Sequence, residues 1–122
     1  MTRVGCVERL WQAVINSWNG LVAVTRSEAA FRQELALLAV GIPLALFLTA
    51  DMGERFALIG VIIFILIVEL LNTAIEKLSD RVTRDSDPTI KHVKDMGSAA
   101  VGLSLLAAGT VWLWIVIERL WS

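Results

Sequence analysis

The stretch MGSAAVGLSLLAAGTVWLWIVI, residues 96–117, runs for 22 residues without a charged side chain. As a helix rising ~1.5 Å per residue, such a run crosses the ~30 Å hydrocarbon layer of a bilayer. Two more apolar runs lie upstream, Leu35–Ala50 and Phe56–Val68. Each reaches the roughly 20 residues of a span by taking in a polar end, Phe31–Glu34 for the first and Glu69–Glu76 for the second. In lipid every backbone N–H and C=O must be paired inside the protein, and none of the runs alternates as a strand does, so three spanning helices are expected and a barrel is not. Pro43 in the first span has no N–H to give and is expected to kink it.

The composition agrees. Of 122 residues, 57% are hydrophobic, and the mean hydropathy is +0.70, against roughly 45–50% apolar residues in a soluble domain. The chain reads as one small membrane domain, 1–122. Its net charge of −1 lacks the basic footprint of a nucleic-acid binder, so no nucleic acid is expected as a partner. A single cysteine, Cys6, excludes an intramolecular disulfide and is too few for a structural zinc site. Glu8, Arg9, Gln12 and Asn16 interrupt the N-terminal segment, and no signal peptide is expected.

Ahead of the spans, Val7, Leu10, Trp11, Val14, Trp18, Leu21 and Val22 recur at three- and four-residue spacing, with Arg9, Gln12, Asn16 and Asn19 on the opposite side. This is an amphipathic helix suited to the membrane interface plane, packing against the bundle being its other use. The expected architecture is all-α: an N-terminal amphipathic surface helix at about 6–25, then transmembrane helices at about 29–50, 54–80 and 92–119. Arg84-Asp-Ser-Asp-Pro88 carries the turn signal between the last two.

Cytoplasmic segments next to spans carry the excess of Lys and Arg. Arg3, Arg9, Arg26 and Arg32 precede the first span, and Lys77, Arg81, Arg84, Lys91 and Lys94 lie around the loop between the second and third; the opposite ends hold only Arg55 and Arg119. The N-terminus is therefore expected in the cytoplasm and the C-terminus outside. Trp112, Trp114 and Trp121 fit an outer aromatic belt.

Glu69, Asn72, Glu76 and Asp80 follow one another at spacings of three, four and four. On a helix they share one stripe. Carboxylates at membrane depth are costly and normally face the bundle interior or a wet cavity, so the stripe is expected to line a site near the cytoplasmic surface. A polar seam fixing helix register is the bland alternative. Glu28, Arg32, Gln33 and Glu34 before the first span, and Lys94, Asp95 and Ser98 before the third, fall at the same level by the charge count. Carboxylates without His or Cys partners prefer hard cations, and Mg²⁺ is commonly held by one or two of them together with substrate phosphates. Glu28 and Glu76 are the candidate ligands. Lys94, at a helix start, suits nucleotide phosphate or is ordinary positive-inside charge; Asp95 is either an N-terminal helix charge or a substrate contact. His92 reads as a solvated side chain. Gly97, Ser98, Gly102 and Gly109 permit close helix approach. Neither a Walker A loop nor a kinase glycine loop is present, so an ATP site must be built another way.

The segments Glu28-Ala-Ala-Phe-Arg-Gln-Glu34, Val68-Glu-Leu-Leu-Asn-Thr-Ala-Ile-Glu-Lys-Leu-Ser-Asp-Arg81 and Lys94-Asp-Met-Gly-Ser-Ala-Ala-Val101 resemble the prokaryotic integral-membrane diacylglycerol kinases over essentially the whole chain. The resemblance implies a homotrimer in the bacterial inner membrane with sites between protomers, taking ATP and Mg²⁺ from the cytoplasm and diacylglycerol from the bilayer. It implies Glu69 as the catalytic base toward the lipid hydroxyl, and Glu28 and Glu76 as holders of the metal on ATP. Asn72, Lys94 and Asp95, with Arg9 and Asn16, would contact nucleotide; Arg32, Glu34 and Ser98, with Glu69, would contact the lipid. A polyprenol such as undecaprenol is the alternative substrate. A non-enzymatic membrane subunit or ion pathway is the reading from another class.

Overall fold

The structure, a computed structural model, describes residues 3–121 and side chains from Gly5 to Trp121. The side chain of Arg3, counted above among the N-terminal positive charges, lies outside the described residues. The chain forms four helices: α1 (Arg3–Ser27), α2 (Ala29–Leu48), α3 (Met52–Val82) and α4 (Pro88–Trp121). The last three are each long and apolar enough to cross a membrane.

Short connections force these three to run antiparallel, and α3 packs against both α2 and α4. Two small cores hold the bundle. Toward the α1 end, Val24, Phe31 and Leu66 meet, with Leu35, Leu38 and Leu70 around them. Toward the other end, Ala45, Leu58 and Ile115 meet, flanked by Leu48, Ile59, Val111 and Trp112. There the Trp112 indole N–H donates to the Leu58 carbonyl at 3.0 Å, fixing α4 against α3 by a polar bond inside an apolar wall.

Local chemistry sets the helix ends. Asp51 caps α3, its carboxylate accepting from Glu54 N at 2.8 Å. Asp87 does the same for α4, accepting from Thr89 N at 2.9 Å and Ile90 N at 3.0 Å. Pro88 then occupies the first helical position, where its missing N–H costs nothing. This is why α4 begins earlier than the expected 92: the Asp-Pro pair read above as a turn is also a helix start. Pro43 sits inside α2, which continues as helix through it.

At the α2–α3 turn, polar groups are densely paired. Arg55 donates to the Thr49 carbonyl at 2.7 Å and the Leu46 carbonyl at 3.0 Å, satisfying acceptors that the end of α2 leaves open. Glu54 accepts from the Thr49 hydroxyl at 2.6 Å and pairs with Arg119 at 2.6 Å, tying the far end of α4 to the same turn.

Interhelical hydrogen bonds in membrane proteins are worth ~0.6 kcal/mol on average and ~1.7 at most. Trp112→Phe is therefore expected to lower stability by about 1 kcal/mol in equilibrium unfolding in detergent micelles. Trp121→Phe, at a side chain 85% exposed, is expected to leave the unfolding midpoint unchanged.

Candidate active site

At the end of the bundle where α2 and α4 start and α3 finishes, the sequence stripe becomes a face. Glu69 and Asn72 are buried, each 8% exposed, with Thr73 buried next to Asn72; further along α3, Glu76 and Asp80 are half-buried and Ser79 is buried. Seven residues of helix separate Glu69 from Glu76, a rise of about 10 Å. The Asn72 Nδ2 donates to Glu76 Oε1 at 3.4 Å.

Helix α2 brings two more carboxylates. Glu28 occupies the single extended residue between α1 and α2 (φ −118°, ψ 114°) and makes no side-chain capping bond. Its carboxylate is therefore not spent on the helix it precedes. Glu34 lies half-buried a turn and a half further in. Glu28, Glu34 and Glu76 are all near enough to Glu69 to interact with it electrostatically. Two acceptor atoms at this face, Glu34 Oε2 and Asn72 Oδ1, are buried without a hydrogen-bond partner. Buried acceptors without donors are costly, and this end of the bundle accumulates them among like charges.

Four basic side chains around the face, Lys94, Lys91, Lys77 and Arg32, are engaged by other groups. Lys94 pairs with Asp80 at 2.7 Å, so the fourth member of the α3 stripe meets α4 and not the carboxylate group. Asp95 pairs with Lys91 at 2.7 Å along α4, both largely exposed. Lys77 donates to the Ser27 hydroxyl at 3.0 Å. Arg32 turns away from the carboxylates and donates to the Thr25 carbonyl at 2.8 Å and the Arg26 carbonyl at 3.1 Å, closing the end of α1. Ser98 is exposed on α4. Arg9 and Asn16 are exposed on α1, where Asn16 accepts from Gln12 at 3.1 Å.

The structure thus groups Glu28, Glu34, Glu69, Asn72 and Glu76, sets Lys94 and Asp95 at the rim in ion pairs, and gives Arg32 a helix-end role that its charge alone did not signal. Among the described residues no three His, Cys, Asp or Glu side chains close on one point as a metal cage. The donor set still suits a hard cation brought by a nucleotide, since Mg²⁺ uses one or two protein carboxylates and completes its shell with phosphate oxygens and water. Beside the face, the residues Thr83–Asp87 of the α3–α4 loop and Pro88, Ile90, Lys91, Lys94 and Asp95 of α4 line an open cavity of about 430 Å³ with charged groups on its wall. A wholly different cavity of about 320 Å³ lies between α2 and α4 deeper in the bundle, lined by Val40, Gly41, Ile62, Ala108 and Trp112.

Residues 15–116 match the family model of the prokaryotic diacylglycerol kinases. A diacylglycerol kinase of Pseudomonas aeruginosa is 43% identical over 111 residues, covering 91% of this chain and 90% of that protein. One from Escherichia coli is 38% identical over 104 residues, covering 85% of each, and one from Haemophilus influenzae is 35% identical over 96 residues, covering 79% of this chain and 81% of that protein. With the carboxylate stripe on a span-length helix and this likeness along nearly its whole length, the chain belongs to the prokaryotic diacylglycerol kinase family.

Proposed function

We propose that the chain phosphorylates diacylglycerol to phosphatidic acid with ATP, at the cytoplasmic face of the bacterial inner membrane. The observation that carries the reading is Glu69: a buried carboxylate on a span-length helix, within electrostatic range of three other carboxylates. A polar seam fixing helix register needs no group of like-charged carboxylates, whereas a kinase acting on a membrane alcohol needs a base at this depth.

In the proposed reaction the lipid hydroxyl oxygen attacks the γ-phosphorus, its proton passes to the Glu69 carboxylate, and the bond from the γ-phosphorus to the bridging oxygen of ADP breaks. Such a transfer asks mainly for alignment and charge neutralisation. Mg²⁺ would supply that neutralisation on the phosphates, held by Glu28 and Glu76. Asn72 orients Glu76 through its amide, and the unsatisfied Glu34 Oε2 suits a donor arriving with the lipid, alongside Ser98. Lys94 and Asp95, on the wall of the open cavity at the α3–α4 loop, are the nucleotide contacts of this scheme, with Arg9 and Asn16 reaching from α1.

The site is proposed to be completed between protomers of a homotrimer. Its orphaned acceptors support this, as do the exposed apolar side chains of α3, Ile63, Phe64, Ile67 and Leu71 among them. The exposed Val7, Leu10, Trp11, Val14 and Trp18 of α1 support its lying in the membrane interface, and the distribution of Lys and Arg supports a cytoplasmic N-terminus and site with the C-terminus outside.

Purified protein in mixed micelles with Mg²⁺ and labelled ATP is expected to phosphorylate diacylglycerol in preference to undecaprenol at equal surface concentration. No transfer to diacylglycerol removes the reading, and faster transfer to the polyprenol redirects it. Glu69→Gln keeps the shape of the side chain and removes its basicity; turnover should fall by about 10²–10⁴-fold while ATP binding persists. Glu28→Gln and Glu76→Gln are instead expected to raise the Mg²⁺ concentration needed for half-maximal rate, by on the order of tenfold or more. An unchanged Mg²⁺ dependence contradicts the metal assignment.

A further inference from the structure

We infer that Gly97 is a positioning residue for Asn72: by carrying a hydrogen where other residues carry a side chain, it leaves the space that keeps the Asn72 amide turned toward Glu76. The inference rests on the proposed reading for its kinetic consequence and on contact geometry for the rest. Gly97 is buried on α4 against α3. A Cβ built there would overlap Asn72 Oδ1 and lie 3.3 Å from Asn72 Cγ, with no other side chain or neighbouring helix within 4 Å. Gly102 and Gly109, on the same helix, meet nothing within 4 Å. The tightness at Gly97 is therefore specific to one side chain and is not a general property of the α3–α4 packing.

What an added methyl would displace follows from how Asn72 is held. Its Oδ1 is buried with no donor, and its Nδ2 reaches Glu76 Oε1 at 3.4 Å, a long bond and so a weak one. An amide held this loosely takes its orientation from the walls around it, and the wall facing Oδ1 is Gly97. The overlapped atom is the tip of a side chain with two rotatable bonds, so a methyl at this position turns the amide aside without prying the helices apart. Rotation of Asn72 carries Nδ2 away from Glu76, leaving that carboxylate without the donor that orients it. Gly97 would touch neither nucleotide nor lipid and would act on both turnover and metal dependence through Asn72.

A double-mutant cycle on the full chain in mixed micelles tests this. Gly97→Ala is expected to lower turnover by on the order of tenfold and to raise the Mg²⁺ needed for half-maximal rate, with the unfolding midpoint close to the parent's. In the Asn72→Ala background, where the methyl has room, adding Gly97→Ala should change the rate less than twofold. Losses that multiply independently in the two backgrounds, or a Gly97→Ala variant as active as the parent, overturn the inference. A second readout needs no activity. Asn72 is one of three asparagines, with Asn16 and Asn19, and its side-chain amide signal in ¹⁵N-asparagine-labelled protein is expected to move in Gly97→Ala. An unmoved signal overturns the positioning role even in an active enzyme, and a parent chain that transfers no phosphate while the signal moves overturns only the kinase reading.

Discussion

A carboxylate carried on a helix among acyl chains must face something polar, and in this chain that requirement orients α3. Glu69 and Asn72 share a side of the helix with Glu76, and turning that side inward turns Ile63, Phe64, Ile67 and Leu71 outward. The cost of an ion at the centre of a spanning helix is about 2.5 kcal/mol or more. A misrotated α3 would incur it at Glu69 and again, in part, at each polar neighbour. The helices on either side then take their places from α3, because both of the apolar cores are built on it, through Leu66 at one end and Leu58 at the other.

The two ends of the bundle treat polar groups in opposite ways. At the α2–α3 turn donors and acceptors meet: Arg55 closes the carbonyls of α2, and Glu54 takes both the Thr49 hydroxyl and Arg119. At the other end three cations are held at the rim, Lys94 by Asp80 and Lys91 by Asp95, and Arg32 by the end of α1. What remains inside is a surplus of acceptors. A fold that only needed to be stable would pair them or replace them with hydrocarbon. The surplus is instead a demand for positive charge and for hydrogen-bond donors, which a metal-bound nucleotide and an alcohol supply on the proposed reading.

Much of this was legible in the sequence, and the divide between what was and was not is physical. Three spans and one carboxylate stripe depend on composition and on the 100° step of a helix, both of which are local, so Glu69, Asn72 and Glu76 could be set on one face without coordinates. Where α4 begins is harder to read, because Asp87-Pro88 serves equally as turn chemistry and as a cap with its first helical residue. Partners across helices were not readable. Nothing in the spacing of Lys94 says that it meets Asp80, 14 residues earlier, across a loop, and nothing in the charge of Arg32 says that it turns back to carbonyls of α1. Gly97 was visible as a small residue fit for packing. That its one close neighbour is the Asn72 amide depends on the rotation and depth of α4 against α3, which no local pattern encodes.

The depth of the carboxylates also bears on how little surrounding structure the proposed chemistry needs. The reacting hydroxyl of a diacylglycerol sits at the headgroup level, and the acyl chains below it are already solvated by the membrane, so no deep pocket need be built for them. The protein has only to present a base at that level and a phosphate clamp nearer the water. Glu69 and Glu76, about 10 Å apart along one helix, span that interval without a loop or a second domain. The cost falls on the surfaces: acceptors left unsatisfied at the carboxylate-bearing end and apolar side chains left exposed along α3 and α1. Both are met by what surrounds the chain on this reading, the first by substrates and the second by lipid and neighbouring protomers, so the site and the membrane environment are parts of one arrangement.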